Sequence, residues 1–124
     1  MIAAVMTQLL IVYHSRTGGA RQMAAAALEA ASSEGAVVSV QAASAGPDDL
    51  LAAAGYIFCA PENLAALSGP MKDFFDRCYY PVLERIEGRP YAQMIAAGSD
   101  GEGAARQIRR IATCLLYTSD AADE

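Results

Sequence analysis

A chain of 124 residues holds about one domain, and an apolar fraction of 54% is ample for a core. No stretch approaches the ~20 apolar residues of a membrane span, and a formal net charge of −5 gives no sign of a nucleic-acid partner. Three cysteines, Cys59, Cys78 and Cys114, are odd in number and lack metal-like spacing, which fits reduced thiols in a cytoplasm and no metal site.

The chain begins Met1-Ile2-Ala3-Ala4-Val5, without a basic n-region and leading straight into a strand, so it is a poor signal peptide; Met6 is an equally good start. A first strand is predicted over 8–13, apolar throughout, as a buried central strand would be. It stops at His14-Ser15-Arg16-Thr17-Gly18-Gly19, and an Ala-rich helix follows at once. That helix is predicted over 19–34, with Met23, Ala27 and Ala30 or Ala31 on one face and Gly35 as its stop. The order builds an anion site. Hydroxyls and free N–H groups converge where the helix dipole is positive, and two glycines let backbone curl closely around a phosphate monoester.

Several phosphate-binding loops are excluded. A nucleotide-triphosphate loop needs Lys-Ser/Thr after its glycines, whereas Ala20 and Arg21 follow here. A dinucleotide fingerprint needs spaced glycines and an acid at the end of the second strand, which instead runs into Gln41-Ala42-Ala43. Neither Cys59 nor Cys78 has the downstream Arg of a phosphatase loop, and the third strand ends in Cys59-Ala60-Pro61 rather than a receiver aspartate.

The second strand is predicted over 36–41, alternating and Val-rich, and Gly46-Pro47-Asp48-Asp49 starts a short helix carrying Leu50 and Leu51. A third strand covers 55–60, followed by a loop over 61–68. Ser68-Gly69-Pro70 opens a helix with Met71, Phe74, Phe75, Cys78 and Tyr79 at helical spacing. On its outer face Lys72 can meet Asp76 and Asp73 can meet Arg77, and Pro81 must bend or end it. Phe74, Phe75 and Tyr79 read as core; for Tyr80 packing in the core or at a subunit interface is the default, with a place at the edge of a bound ligand as the alternative. A fourth strand is predicted over 91–97, then a loop over 98–103 and a helix over 104–113 with Ile108 and Ile111 inward. Arg106, Arg109 and Arg110 on that helix read as a solvated face.

Strand and helix alternate, which argues for an α/β doubly wound parallel sheet covered on both faces. In such sheets the ligand lies outside the carboxyl ends of the strands, near the switch in strand order. The loops 15–19, 61–68 and 98–103 meet there. The loop Gly98-Ser99-Asp100-Gly101-Glu102-Gly103 is rich in glycine, which lets backbone approach a ligand closely, and Asp100 and Glu102 read first as helix-start acids. His14, the single histidine, has no ligand-spaced partner and reads as a supporting group. Cys59 reads as a packed, inert thiol.

From Leu9 to about Thr113 the chain resembles the flavodoxin-like family, through its Ser-x-Thr-Gly loop at Ser15, Arg16, Thr17 and Gly18. Its later motifs are similar to those of the NAD(P)H-dependent FMN reductase branch. Pro61-Glu62-Asn63 resembles that branch's Pro-Glu-Tyr-Asn loop without the Tyr, leading through Ser68 and Gly69 into Met71-Lys72-Asp73. The resemblance implies a sheet in the order 2-1-3-4-5. It implies that Ser15, Arg16, Thr17, Gly18 and Gly19 hold the phosphate of FMN. Pro61, Glu62, Asn63 and Leu64, with Gly98, Ser99, Asp100 and Gly101, would then lie along its ring. For Glu62 a helix-capping role is an equal alternative. No protein residue is expected to be catalytic, because FMN carries the chemistry.

Neither ring-facing loop contains Trp, Tyr or Phe, so a nicotinamide could stack on the open ring face. The resemblance therefore implies an oxidoreductase passing reducing equivalents from NAD(P)H through FMN to a small-molecule acceptor such as a quinone or flavin. It implies no nucleic-acid or membrane partner and leaves a homo-oligomer open. The alternatives are a single-electron-carrying flavodoxin and a truncated, inactive fragment.

The last of these arises from residues 114–124, Cys114-Leu115-Leu116-Tyr117-Thr118-Ser119-Asp120-Ala121-Ala122-Asp123-Glu124. They resemble the translation of a transposase adapter used in DNA library preparation, and all eleven positions match one reading frame. The expected organisation is thus an incomplete FMN-binding domain over 1–113 and a non-native tail over 114–124. The fifth strand and last helix would be missing, and the fourth strand would be an exposed apolar edge prone to aggregation. Leu115, Leu116 and Tyr117 are candidates to occupy that edge.

Overall fold

The structure is a computed structural model that describes residues 8–117; residues 1–7, with the alternative start at Met6, and the end of the expected tail, 118–124, lie outside the described residues. The elements are β1 (Leu9–Tyr13), α1 (Gly19–Ser32), β2 (Val37–Gln41), α2 (Pro47–Ala52), β3 (Gly55–Asn63), β4 (Ala66–Leu67), α3 (Gly69–Val82), β5 (Tyr91–Ala96) and α4 (Glu102–Leu116). Four strands run parallel in the order β2-β1-β3-β5, and β4 pairs antiparallel with the end of β3. The parallel strands follow the first four places of the expected order, with β5 as the predicted fourth strand. The fold is the expected flavodoxin-like doubly wound sheet.

Alternation along β1 sends Ile11 to one face and Leu10 and Val12 to the other. On the Ile11 face, Ala20 and Ala24 of α1 are buried beside Cys59, with Met23, Ala27 and Leu28 packed around them. Alanine at the contact positions lets α1 lie close to the sheet. On the other face, Phe58 packs edge-on against Phe75 at 5.0 Å and lies near Tyr56 and Tyr91. Here α2, α3 and α4 supply Leu50, Met71, Phe74 and Ile108. Arg89 donates to the carbonyls of Leu50, Leu51 and Ala53 at 3.0, 3.0 and 2.8 Å, placing a cation where α2 ends. The predicted pairs Lys72–Asp76 and Arg77–Asp73 both form, at 2.8 Å.

Two expectations are corrected, and the place of Tyr80 is narrowed. The segment predicted as an open loop after the third strand is a hairpin: β3 continues through Pro61 and Glu62 to Asn63, and Leu64 and Ala65 turn it with φ of 51° and 64°. Leu115 and Leu116 do not occupy a strand edge. They extend α4 and are buried in the core, because they continue the stripe of Ala104, Ile108 and Ala112 at helical spacing. Tyr80 does not enter the core of the chain: it is 79% exposed on α3, with its ring edge-on to Tyr79.

Burial pushes the Cys59 thiol up to about 11, and its Sγ donates to the Ala20 carbonyl at 3.2 Å. Cys78 is likewise pushed up to about 11 by burial, while Cys114 is exposed. A disulfide-exchange reagent at neutral pH should therefore titrate one thiol in the folded chain and all three in denaturant. Since both buried thiols ionise later when folded, their contribution to stability is constant below pH 9 and is lost as pH rises from 9 towards about 11.

Candidate functional site

The loop after β1 is held from three sides. His14 N–H donates to the Cys59 carbonyl at 3.0 Å, extending the β1–β3 ladder. Gly18 N–H donates to Ser15 Oγ at 3.0 Å, folding the loop back on itself. Gly18 has φ +106°, a conformation that side chains rarely adopt, and it stands as the N-cap of α1. No side chain caps α1 and no acid lies in its first turn, so its leading N–H groups are left for an external anion.

His14 Nδ1 and the buried Ser68 hydroxyl lie 3.0 Å apart, tying this loop to the start of α3. Burial first, and then the Arg16 guanidinium, hold the imidazole below its ordinary value of 6.5. The imidazole resonance should titrate below 6.5 in NMR, and Arg16→Gln should move the midpoint only part of the way back, because burial remains.

Two clefts open on either side of the loop. One, of about 360 Å³, lies outside the ends of β1, β3 and β5. It brings together Ser15, Arg16, Thr17 and Gly19 with Pro61, Glu62 and Asn63 and with Gly98. Ala20, Ala96 and Ala97 complete its wall, and no aromatic side chain lines it. Sequence reasoning missed these alanines, which carry no chemical signal except their place at strand and helix ends. Gly19 belongs to this surface because a Cβ there would lie 3.6 Å from that of Ala96. The other cleft, of about 430 Å³, lies between the ends of β1 and β2 and includes Gly18 and Arg21.

Five expected residues stand outside the first cleft, Gly18 among them because it lines the other one. Leu64 is fully exposed at the hairpin tip. Asp100 accepts the Glu102 N–H at 2.9 Å, the helix-start role. Gly101 is buried as the N-cap of α4 with φ +71°, and Ser99 does not reach the lining.

Glu62 performs the capping alternative. Its Oε2 accepts the N–H groups of Gly103 at 2.9 Å and Ala104 at 3.3 Å, fastening the hairpin to the start of α4. A partly exposed charge-assisted cap of this kind predicts a loss of about 1–2 kcal/mol for Glu62→Ala in denaturant unfolding, and less for Glu62→Gln, which keeps an acceptor oxygen.

No helix among the described residues is long and apolar enough to cross a membrane. The family described as NADPH-dependent FMN reductase matches residues 41–119. A comparison with curated proteins gives no match. Among solved structures, a flavodoxin from the domain Archaea superposes with a TM-score of 0.79 at 21% identity, over 90% of this chain and 77% of that one. A flavodoxin, WrbA-like protein from Agrobacterium tumefaciens does so at 0.72 and 21% identity, over 91% of this chain and 77% of that one. The apo form of an NADH:FMN oxidoreductase gives 0.71 at 15% identity, over 89% of this chain and 70% of that one. These likenesses establish the fold, and the match over more than half of its residues shows that the chain belongs to the NADPH-dependent FMN reductase family of flavodoxin-like flavoproteins.

Proposed function

We propose that the chain binds FMN and passes reducing equivalents from NAD(P)H to a small-molecule acceptor such as a quinone or flavin. The observation that carries this reading is the convergence of Ser15, Arg16, Thr17 and Gly19 with residues 61–63 and 96–98 on one cleft of about 360 Å³. The donor set suits the cofactor. Ser15 and Thr17 offer hydroxyls, Gly18, Gly19 and the first turn of α1 offer N–H groups, and Arg16 offers a charge for a phosphate monoester. The small side chains of Ala20, Ala96 and Ala97 leave a surface suited to a flat ring system.

When bound, FMN supplies the redox chemistry, and the protein's part is position and exclusion. The Gly18 N–H fixes the Ser15 hydroxyl oxygen, which leaves the hydroxyl proton free to donate to a phosphate oxygen. Pro61, Glu62 and Asn63 of the hairpin and Gly98 line the same cleft and would hold the ring there. Glu62 holds the hairpin in place through α4 instead of contacting a reacting atom. With no aromatic side chain in the lining to cover it, a bound ring would leave a face open to a nicotinamide, which favours direct reduction over a carrier role. Reduced thiols at Cys59, Cys78 and Cys114 fit a cytoplasmic setting.

Rapid mixing of the FMN-loaded chain with NADPH or NADH, without oxygen, tests this. The flavin absorbance should bleach directly with at least one of them. A single-electron carrier would be bleached by neither.

A further inference from the structure

Among the described residues Ser68 is the only polar one that is fully buried. It stands as the N-cap of α3, where a serine hydroxyl ordinarily accepts an N–H of the first turn, yet its side chain caps nothing. The hydroxyl faces His14 Nδ1 instead, 3.0 Å away. The helix forgoes its side-chain cap, and the imidazole is held at the root of the β1–α1 loop. A serine hydroxyl both donates and accepts. It can donate to a bare Nδ1 or accept from a protonated one, so the tie survives a change of charge on the ring. Nε2 is the nitrogen left over, on a residue that shares a cleft with Ser15, Arg16, Thr17 and Gly18.

The charges around the ring decide how it responds to a ligand. Burial and the Arg16 guanidinium disfavour the imidazolium. Arg21 of α1 and the Tyr13 phenol of β1 line the same cleft, and the end of β2 brings Gln41, Ala42 and Ala43. The start of α3 brings Ser68, and β3 brings the Cys59 carbonyl to the His14 backbone. None of these is a carboxylate, so no group of the protein favours the charged ring. A phosphate monoester gripped by the loop reverses the balance. It carries about two negative charges at neutral pH, and Ser15, Arg16 and Thr17, which would hold it, lie in the cleft of His14. An opposite charge at that range favours the imidazolium.

Resting on the reading that the β1–α1 loop holds the FMN phosphate, we propose that His14 is a positioning residue whose proton is linked to FMN. Loading the cofactor draws a proton onto the imidazole, while Ser68 keeps the ring in place. Because the loaded chain binds that proton more firmly than the flavin-free one, FMN affinity rises as pH falls through the loaded value and levels off below the free one. The monoester's own second proton, at about pH 6, acts the other way, and His14→Gln retains that contribution alone.

His14 is the single histidine of the chain, so its ring resonances in NMR identify themselves. With FMN bound, their titration midpoint should lie above that of the flavin-free chain; riboflavin, which lacks the phosphate, should leave it in place. FMN titrations should give a dissociation constant about threefold lower at about pH 6.5 than at about pH 8, and His14→Gln should lose that gain. A purely structural role for the ring would weaken FMN in the variant equally at both pH values, and that result overturns the proposal. So does a midpoint that FMN leaves unchanged or lowers, or one that riboflavin raises as much. Should His14→Gln fail to fold, the resonances of the unaltered chain decide alone. FMN that binds at neither pH removes the flavin reading and this proposal together; FMN that binds without raising the midpoint removes this proposal only.

Discussion

Gly103→Ala should destabilise the fold by about 3 kcal/mol, at the upper end of what a forced side chain costs in a packed site. A Cβ at Gly103 would overlap the Ala65 backbone carbonyl and press on the Glu62 carboxylate. The obstacle is main chain, at a turn already strained by positive φ at Leu64 and Ala65, so it cannot swing aside as a side-chain tip would. Thermal unfolding should show a fall of about 10 °C for a domain of this size. Gly35→Ala is the control: its Cβ would meet nothing and its φ is ordinary, so the melting temperature should hold or rise slightly. Equal effects at the two glycines would remove the argument that the hairpin is clamped onto α4.

Gly18→Ala should weaken FMN binding by about 10- to 100-fold with a much smaller effect on stability. Space is not the issue, since a Cβ there would meet no atom within 4 Å. The cost is conformational: φ of +106° lies beyond even the left-handed well that alanine tolerates at a penalty. The flavin-free loop can relax to ordinary dihedrals, at the expense of the Gly18 N–H bond to Ser15. Binding must then restore the strained turn, and the strain appears in the dissociation constant. Fluorescence titration measures it, and an unchanged constant would mean that this turn does not hold the phosphate.

How much of this was legible in the sequence depends on how local the signal is. β1, α1, β2, α2 and α3 follow from apolar runs, helical spacing and punctuation at Gly46-Pro47 and Gly69-Pro70, and their ends agree within a residue or two. The ion pairs on α3 follow from spacing alone. The hairpin was not legible, because tight hairpin turns advertise themselves with Asn-Gly or Asp-Gly and this one uses Leu64-Ala65. Only tertiary context, the seat of Ala65 over Gly103, accounts for such residues there. The end of α4 was missed for a different reason. A change of texture at Cys114 suggested a boundary, yet Leu115 and Leu116 keep the helical stripe and enter the core.

For the site, the proposed phosphate loop at residues 15–19 is marked in the sequence by glycines and hydroxyls, and the structure places it at a strand-to-helix junction. The facing surfaces are less clearly marked. Ala96, Ala97 and Ala20 matter by being small, which no motif records. Glu62 could be read as a ring contact or as a cap, and a helix that starts about forty residues later decides for the cap.

The measurement closest to the central claim is a pair of titrations of the chain, one with FMN and one with riboflavin, which has the same ring system and no phosphate. If the β1–α1 loop grips the monoester, FMN should bind one to one and at least about 100-fold tighter than riboflavin, as several charge-assisted contacts require. Equal affinities, or no binding of FMN at all, would contradict it.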